Sequence, residues 1–191
     1  MTSLPVTFPA FLDTCVLYSS TLTDTLLRIA EDGTFRPQWS AGVLGELQEV
    51  LVRSAGITPD RAARRVAFMV TAFPTATVEG YENLIQAMTC DKKDRHVLAA
   101  AVAGRAQVLV TFNTKDFPAE SVVSHELTVV TPDTFLLDQI DLYPARVGRA
   151  LLRQLDEAKR PPLTMGQLLG RLSRAGVPTF AEEARRHEFT A

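Results

Sequence analysis

Cysteine, histidine, tryptophan and tyrosine are all scarce in this chain, and each scarcity closes off a class of protein. The two cysteines, Cys15 and Cys90, form no CxxC pair and keep no ligand spacing to the three histidines, so neither a disulfide scaffold nor a zinc module is supported. Trp39 and Tyr81 are isolated aromatics, which read as structural and not as a platform for stacking bases. No apolar run approaches the roughly 18 residues that a membrane span needs. The opening MTSLPVTFPAFLD lacks a basic segment followed by an apolar stretch, so a soluble, cytoplasmic protein with no membrane partner is expected. Net charge is -2 and the sequence pI about 5.9, so bulk charge gives no pull toward polyanions. Such a substrate would need bound cations or local basic patches.

What is present is enough for a core: 46% of the 191 residues are hydrophobic and 22% charged, which argues against disorder. Residues 8–12 are short, aromatic-rich and end at Asp13, as a buried strand reaching a polar edge would. TLTDTLLRIAEDG has Thr21 and Asp24 spaced like a capping box and Gly33 as its stop. Residues 36–39 read as a second strand, after which Ser40 caps AGVLGELQEVLVRS, with Val43, Leu47, Val50 and Leu51 at helical spacing. Thr58 and Pro59 open a further helix. EGYENLIQAM reads as weakly marked helix, and residues 95–103 as an Ala-rich one. Residues 108–111 and 127–130 are apolar on both faces, and Thr131 and Pro132 start another helix. Continuous apolar strands separated by helices imply an α/β protein: a three-layer α/β/α fold with a mostly parallel central sheet.

Charge balance shifts near residue 140. Residues 1–140 carry 11 basic and 16 acidic groups, whereas 141–191 carry 9 and 6. The expected organisation is a main domain over residues 8–140 and a small helical C-terminal extension over 141–191. In the extension, three short helices are predicted, the last with Thr179 and Glu182 spaced as a capping box.

Open parallel sheets gather polar residues at the carboxyl ends of their strands. Asp13 follows the first strand, and Asp116 follows the strand at 108–111 in the loop TFNTKDF. Asp91 and Asp94 open the helix at 95–103; a cap needs one acid, leaving one for other work, although capping can account for both. Glu46 shares the apolar stripe with Val43, Leu47 and Val50, where a lone carboxylate wants a cation or a donor unless it lies at the stripe's margin and reaches water. Brought together, Asp13, Glu46, Asp94 and Asp116 would repel unless a divalent metal neutralised them, and an all-oxygen set favours Mg²⁺ or Mn²⁺. Asn113 is placed to hold a metal-bound water or a carboxylate in register.

These segments carry a family resemblance. FLDTCVLY, GELQEVL and DKKDRHVLAAAVAGRAQVLVTFNTKDF, in that order, resemble the acid-bearing segments of PIN-domain ribonucleases, the fold of the VapC-type toxins, over residues 8–140. The resemblance implies a Mg²⁺- or Mn²⁺-dependent endoribonuclease acting on single-stranded RNA, with Asp13, Glu46, Asp94 and Asp116 as its acids. It also implies a cognate antitoxin, often placed in or near the acidic groove, and a homodimer. Members with an additional C-terminal helical part exist. Many members have an Asp where this chain has Asn113.

Candidates for RNA contact are Lys92, Lys93 and Arg95 beside the acids, Arg61, Arg64 and Arg65 on the helix after Pro59, and Arg146, Arg149 and Arg153 in the extension. The last three share a helix face, which serves equally as a solvated stripe. His96 reads as a packing or hydrogen-bonding residue. Two rival functions are a metal-dependent phosphatase and a non-catalytic PIN-like interaction module. The phosphatase class that uses a DxD nucleophile would need an acid where Cys15 stands.

Overall fold

The computed structural model describes residues 7–158, 161–187 and 189. In chain order its elements are β1 (Phe8–Leu12), α1 (Thr14–Leu17), α2 (Ser20–Glu31), β2 (Phe35–Ser40), α3 (Ala41–Ala55), α4 (Pro59–Ala72), β3 (Thr77–Val78), α5 (Arg95–Ala103), β4 (Val108–Val110), α6 (Ala119–Val122), β5 (Thr128–Val130), α7 (Pro132–Leu142), α8 (Pro144–Glu157), α9 (Met165–Arg174) and α10 (Pro178–Arg186). Short 3-10 turns lie at Glu82–Ala87, Lys92–Asp94, Thr114–Asp116 and Val123–His125. The chain divides into two compact units. One holds residues 8–18 and 36–130, the other Thr7, residues 19–35 and the described residues from 131 onward.

The first unit is built on a five-stranded sheet in the order β3-β2-β1-β4-β5, with parallel pairing of β1 to β4, β4 to β5 and β2 to β3. Pro9 to Leu12 are buried at every position, so both faces of β1 are covered. That is the mark of a central strand in an α/β/α arrangement, and it explains why these strands lack polar alternation. Trp39 is buried, its indole N–H donating to Thr77 at 3.2 Å and its ring meeting Phe73 edge to face at 6.1 Å. Ser40 caps α3 by accepting from the Val43 N–H, and Gly56, at φ 62°, ends it in the left-handed conformation.

The second unit is helical. The C-terminal helices α8 and α9 pack on α2, and α10 packs on α7 and α9. Phe35 meets Phe135 edge to face at 4.9 Å, and Phe180 is fully buried. Two capping expectations are corrected here. Ser19, and not Thr21, caps α2, because Thr21 already lies inside the helix. Thr179 forms no box with Glu182, since Pro178 occupies the first turn of α10 and the Thr179 and Phe180 N–H groups donate to Asp133 at 3.2 and 2.8 Å. The capping box of this region is Thr164 with Gln167. Among the described residues no helix is long and apolar enough to cross a membrane.

Candidate active site

The register of β1 and β4 pairs Leu12 with Val110, so Asp13 and Thr111 emerge side by side at the carboxyl ends of two central strands. The Asp13 N–H donates to the Val110 carbonyl at 3.1 Å, and its carboxylate is then fixed by three donors. Oδ1 accepts from the Thr14 N–H at 2.7 Å; Oδ2 accepts from the Thr111 hydroxyl at 2.7 Å and from the Cys15 thiol at 3.2 Å. Burial, with the charge of Asp13, pushes the Cys15 thiol up to about 12, so Cys15 stays protonated and remains a donor. Asp13 is 5% exposed, and these donors replace the water it has lost.

Glu46 projects from α3 toward the same edge. Its Oε2 accepts from the Thr14 hydroxyl at 2.7 Å, and its Oε1 lies 3.0 Å from His96 Nε2. The sequence reading that buries Glu46 on the apolar stripe is corrected: its side chain is 48% exposed, because the buried face of α3 runs through Val43, Leu44, Leu47 and Leu51 and leaves position 46 at the margin. Thr14 and His96 come to it from neighbouring elements.

The two acids before α5 divide their work. Asp91 caps the 3-10 turn, accepting from the Lys93 N–H at 3.1 Å, whereas Asp94 makes no capping bond. Asp94 Oδ2 is buried without a hydrogen-bond donor. Burial, reinforced by the charges of Asp116, Asp13 and Asp91 and opposed by Lys93, pushes its carboxyl up to about 6. Asp116 is brought alongside by the 3-10 turn Thr114–Asp116 and by the bond from the Asp91 N–H to its carbonyl at 3.1 Å. The Lys93 ammonium lies 3.0 Å from Asp116 Oδ2 and 3.8 Å from Asp94 Oδ2.

Asp13, Glu46, Asp94 and Asn113 all line one cavity of about 640 Å³, together with Lys93. Asp116 does not line it and reaches its rim through Lys93. The residues that sequence reasoning passed over as site residues are Thr14 and Thr111, the hydroxyls that hold the acids, and the Cys15 thiol. The only signal for them was adjacency: Thr14 follows the first acid, and Thr111 ends the strand before Asn113.

The candidate RNA-contact residues separate in the same way. Lys92, Lys93, Arg61 and Arg64 are exposed, and Arg95 is half-buried with an orphaned Nε. Arg65 is drawn inward, donating to the Leu17 and Tyr18 carbonyls at 2.6 and 3.2 Å, with desolvation lowering its pKa. In the helical unit, Arg146 donates to the Gly33 carbonyl at 2.7 Å, while Arg149 and Arg153 pair with Asp32 at 3.8 and 3.0 Å. These three gather at the negative end of α2.

Among the described residues, no set of three or more His, Cys, Asp or Glu side chains stands in a ready coordinating arrangement. The donor chemistry nevertheless fits a hard divalent cation. The set is all oxygen, Asp94 Oδ2 lacks a donor, neighbouring carboxylates disfavour the ionisation of Asp94, and an ammonium spans two of the acids.

A central parallel sheet with acids gathered at the carboxyl ends of its strands defines an α/β protein with an acidic cleft. The family described as PIN domain matches residues 9–115, more than half of the chain, and the chain belongs to it. The family described as VapC50 C-terminal domain matches residues 132–186. A relative from Mycobacterium tuberculosis, "Putative ribonuclease VapC50", is 46% identical over 112 residues, which cover 59% of this chain and 66% of that protein, just under two thirds of its length. No solved structure gives a significant match.

Proposed function

We propose that this chain is a Mg²⁺- or Mn²⁺-dependent endoribonuclease that hydrolyses phosphodiester bonds of single-stranded RNA and serves as the cytoplasmic toxin of a toxin–antitoxin pair. The observation that carries this reading is the single cavity lined by Asp13, Glu46 and Asp94, with Asp116 one ammonium away. Family membership and the name of the 46% identical relative support it.

Asp13 and Asp94 would hold the principal cation, with Glu46, Asp116 and Asn113 completing its surroundings. When bound, the cation supplies a Lewis acid that eases deprotonation of the attacking water and offsets charge on the phosphoryl oxygens. Thr14, Thr111 and Cys15 keep Asp13 aimed, and Thr14 with His96 does the same for Glu46. The exposed Lys92, Arg61 and Arg64 are basic groups that would receive the RNA backbone. A cognate antitoxin and a homodimer are the partners this reading carries.

Cleavage of an unstructured RNA in Mn²⁺ tests it. Asp13→Asn and Asp94→Asn are each expected to abolish cleavage, and wild-type rates in both would overturn the assignment. Hydrolysis of phosphomonoesters with RNA left intact would indicate the phosphatase, and neither Mn²⁺ binding nor cleavage would indicate an interaction module.

A further inference from the structure

Lys93 lines the acidic cavity, and its ammonium spans Asp94 and Asp116 at 3.8 and 3.0 Å. Its side chain is 65% exposed, so the lysine is not packed into this position; the carboxylates hold it. An exposed ion pair of this kind is weak, and a lysine is a point charge on a flexible stem, so the contact is easily exchanged. A divalent ion gathered by Asp94 and Asp116 would meet that ammonium head on. Displaced from the acids, the ammonium remains tethered one residue from Asp94 at the wall of the cavity, where it can pair with a phosphate of the incoming strand.

We propose that Lys93 is the site's internal counter-ion: it neutralises Asp94 and Asp116 while no divalent cation is bound, is displaced on cation binding, and then contacts a phosphate of the nucleic acid. Lys93 is thereby a substrate-binding residue whose availability depends on the cation. The inference rests on the ribonuclease reading above, and the following experiment separates the two.

Mn²⁺ binding to the full chain is measured by titration calorimetry without RNA, for wild type, Lys93→Met, Lys93→Arg and the neighbouring control Lys92→Met. Removing a charge that competes for the same carboxylates is expected to tighten Mn²⁺ binding about fivefold or more in Lys93→Met, with Lys93→Arg close to wild type and Lys92→Met changed less. In a second arm, affinity for a short, uncleavable single-stranded oligonucleotide is measured with and without Mn²⁺. Lys93→Met is expected to weaken it only when Mn²⁺ is present, with a salt slope shallower by about one. If wild type binds Mn²⁺ and Lys93→Met binds it no tighter, the counter-ion role is overturned and the ribonuclease reading stands. If wild type binds no Mn²⁺, both fall. If the oligonucleotide loss is the same with and without Mn²⁺, the displacement-linked contact is overturned.

Discussion

Thr14 donates its hydroxyl to Glu46 Oε2 at 2.7 Å and its backbone N–H to Asp13 Oδ1 at 2.7 Å, so one residue orients two of the four acids. Thr14→Val removes the first bond and keeps the second. The expected result is a fall of about tenfold in Mn²⁺-dependent RNA cleavage and a loss of about 1–2 kcal/mol in stability, with Thr14→Ser close to wild type. Cleavage kinetics and urea unfolding of the two variants check this.

The raised pKa of Asp94 makes a prediction about pH. Its carboxyl binds its proton more tightly in the folded chain, at about 6, than at the ordinary 3.8. Protonation therefore favours folding: the contribution is fully present below the unfolded pKa and is lost as pH rises through about 6. Without divalent cation, Asp94→Asn is expected to raise the melting temperature at pH 8 and to lose that advantage toward pH 4. Saturating Mn²⁺ at pH 8 should stabilise wild type and leave the variant unmoved, since only wild type gains from the ligand. Thermal unfolding across this grid provides the measurement.

Thr111→Val strips the hydroxyl from a buried junction, because Thr111 Oγ1 both donates to Asp13 and accepts from the Asn113 N–H at 3.0 Å. Leaving those groups short of a partner is expected to destabilise the fold by about 2–3 kcal/mol. The adjacent Cys15, held protonated, should resist alkylation at pH 8 in the folded protein and react after unfolding, as mass spectrometry of the modified peptide would show.

At the start of α10, Asp133 receives the N–H groups of Thr179 and Phe180. Asp133→Ala is expected to cost about 1–2 kcal/mol in urea unfolding, while Thr179→Ala should be nearly neutral. The reverse order would restore the local capping box that the sequence suggests.

Much of the sheet was legible: β1 and β4 are buried apolar runs, and β1, β2, β4 and β5 fall within a residue or two of the strands read from sequence. Helices α4, α5 and α7 were legible through Pro59, the Ala-rich run and Thr131 with Pro132. The edge strand β3 has only two residues, too few for any periodicity, and α1 has only four. EGYENLIQAM is a 3-10 turn over Glu82–Ala87, which a helical pattern that short does not distinguish. Within the candidate site, Asp13, Glu46 and Asp94, singled out by chain order and chemistry, line one cavity, and Asp116 does not. Their donors could not be named from sequence, since Thr14 meets Glu46 across 32 positions and Thr111 meets Asp13 across 98, and only tertiary structure joins them. The exposure of Glu46 was misread for a related reason: helical phase gives a direction and does not show where the covering surface stops.

The membership of α2 in the helical unit bears on how the protein can be dissected. That helix falls inside the stretch matched as PIN domain, yet α8 and α9, beyond its end, are what pack on it. A deletion ending at residue 130 would strip α8 and α9 from α2, including the partners of Thr25 and Arg28, so an excised fragment should be sticky and poorly expressed. Severed from residues 131–191, the remainder is not a self-sufficient unit but a molecule with an open wound.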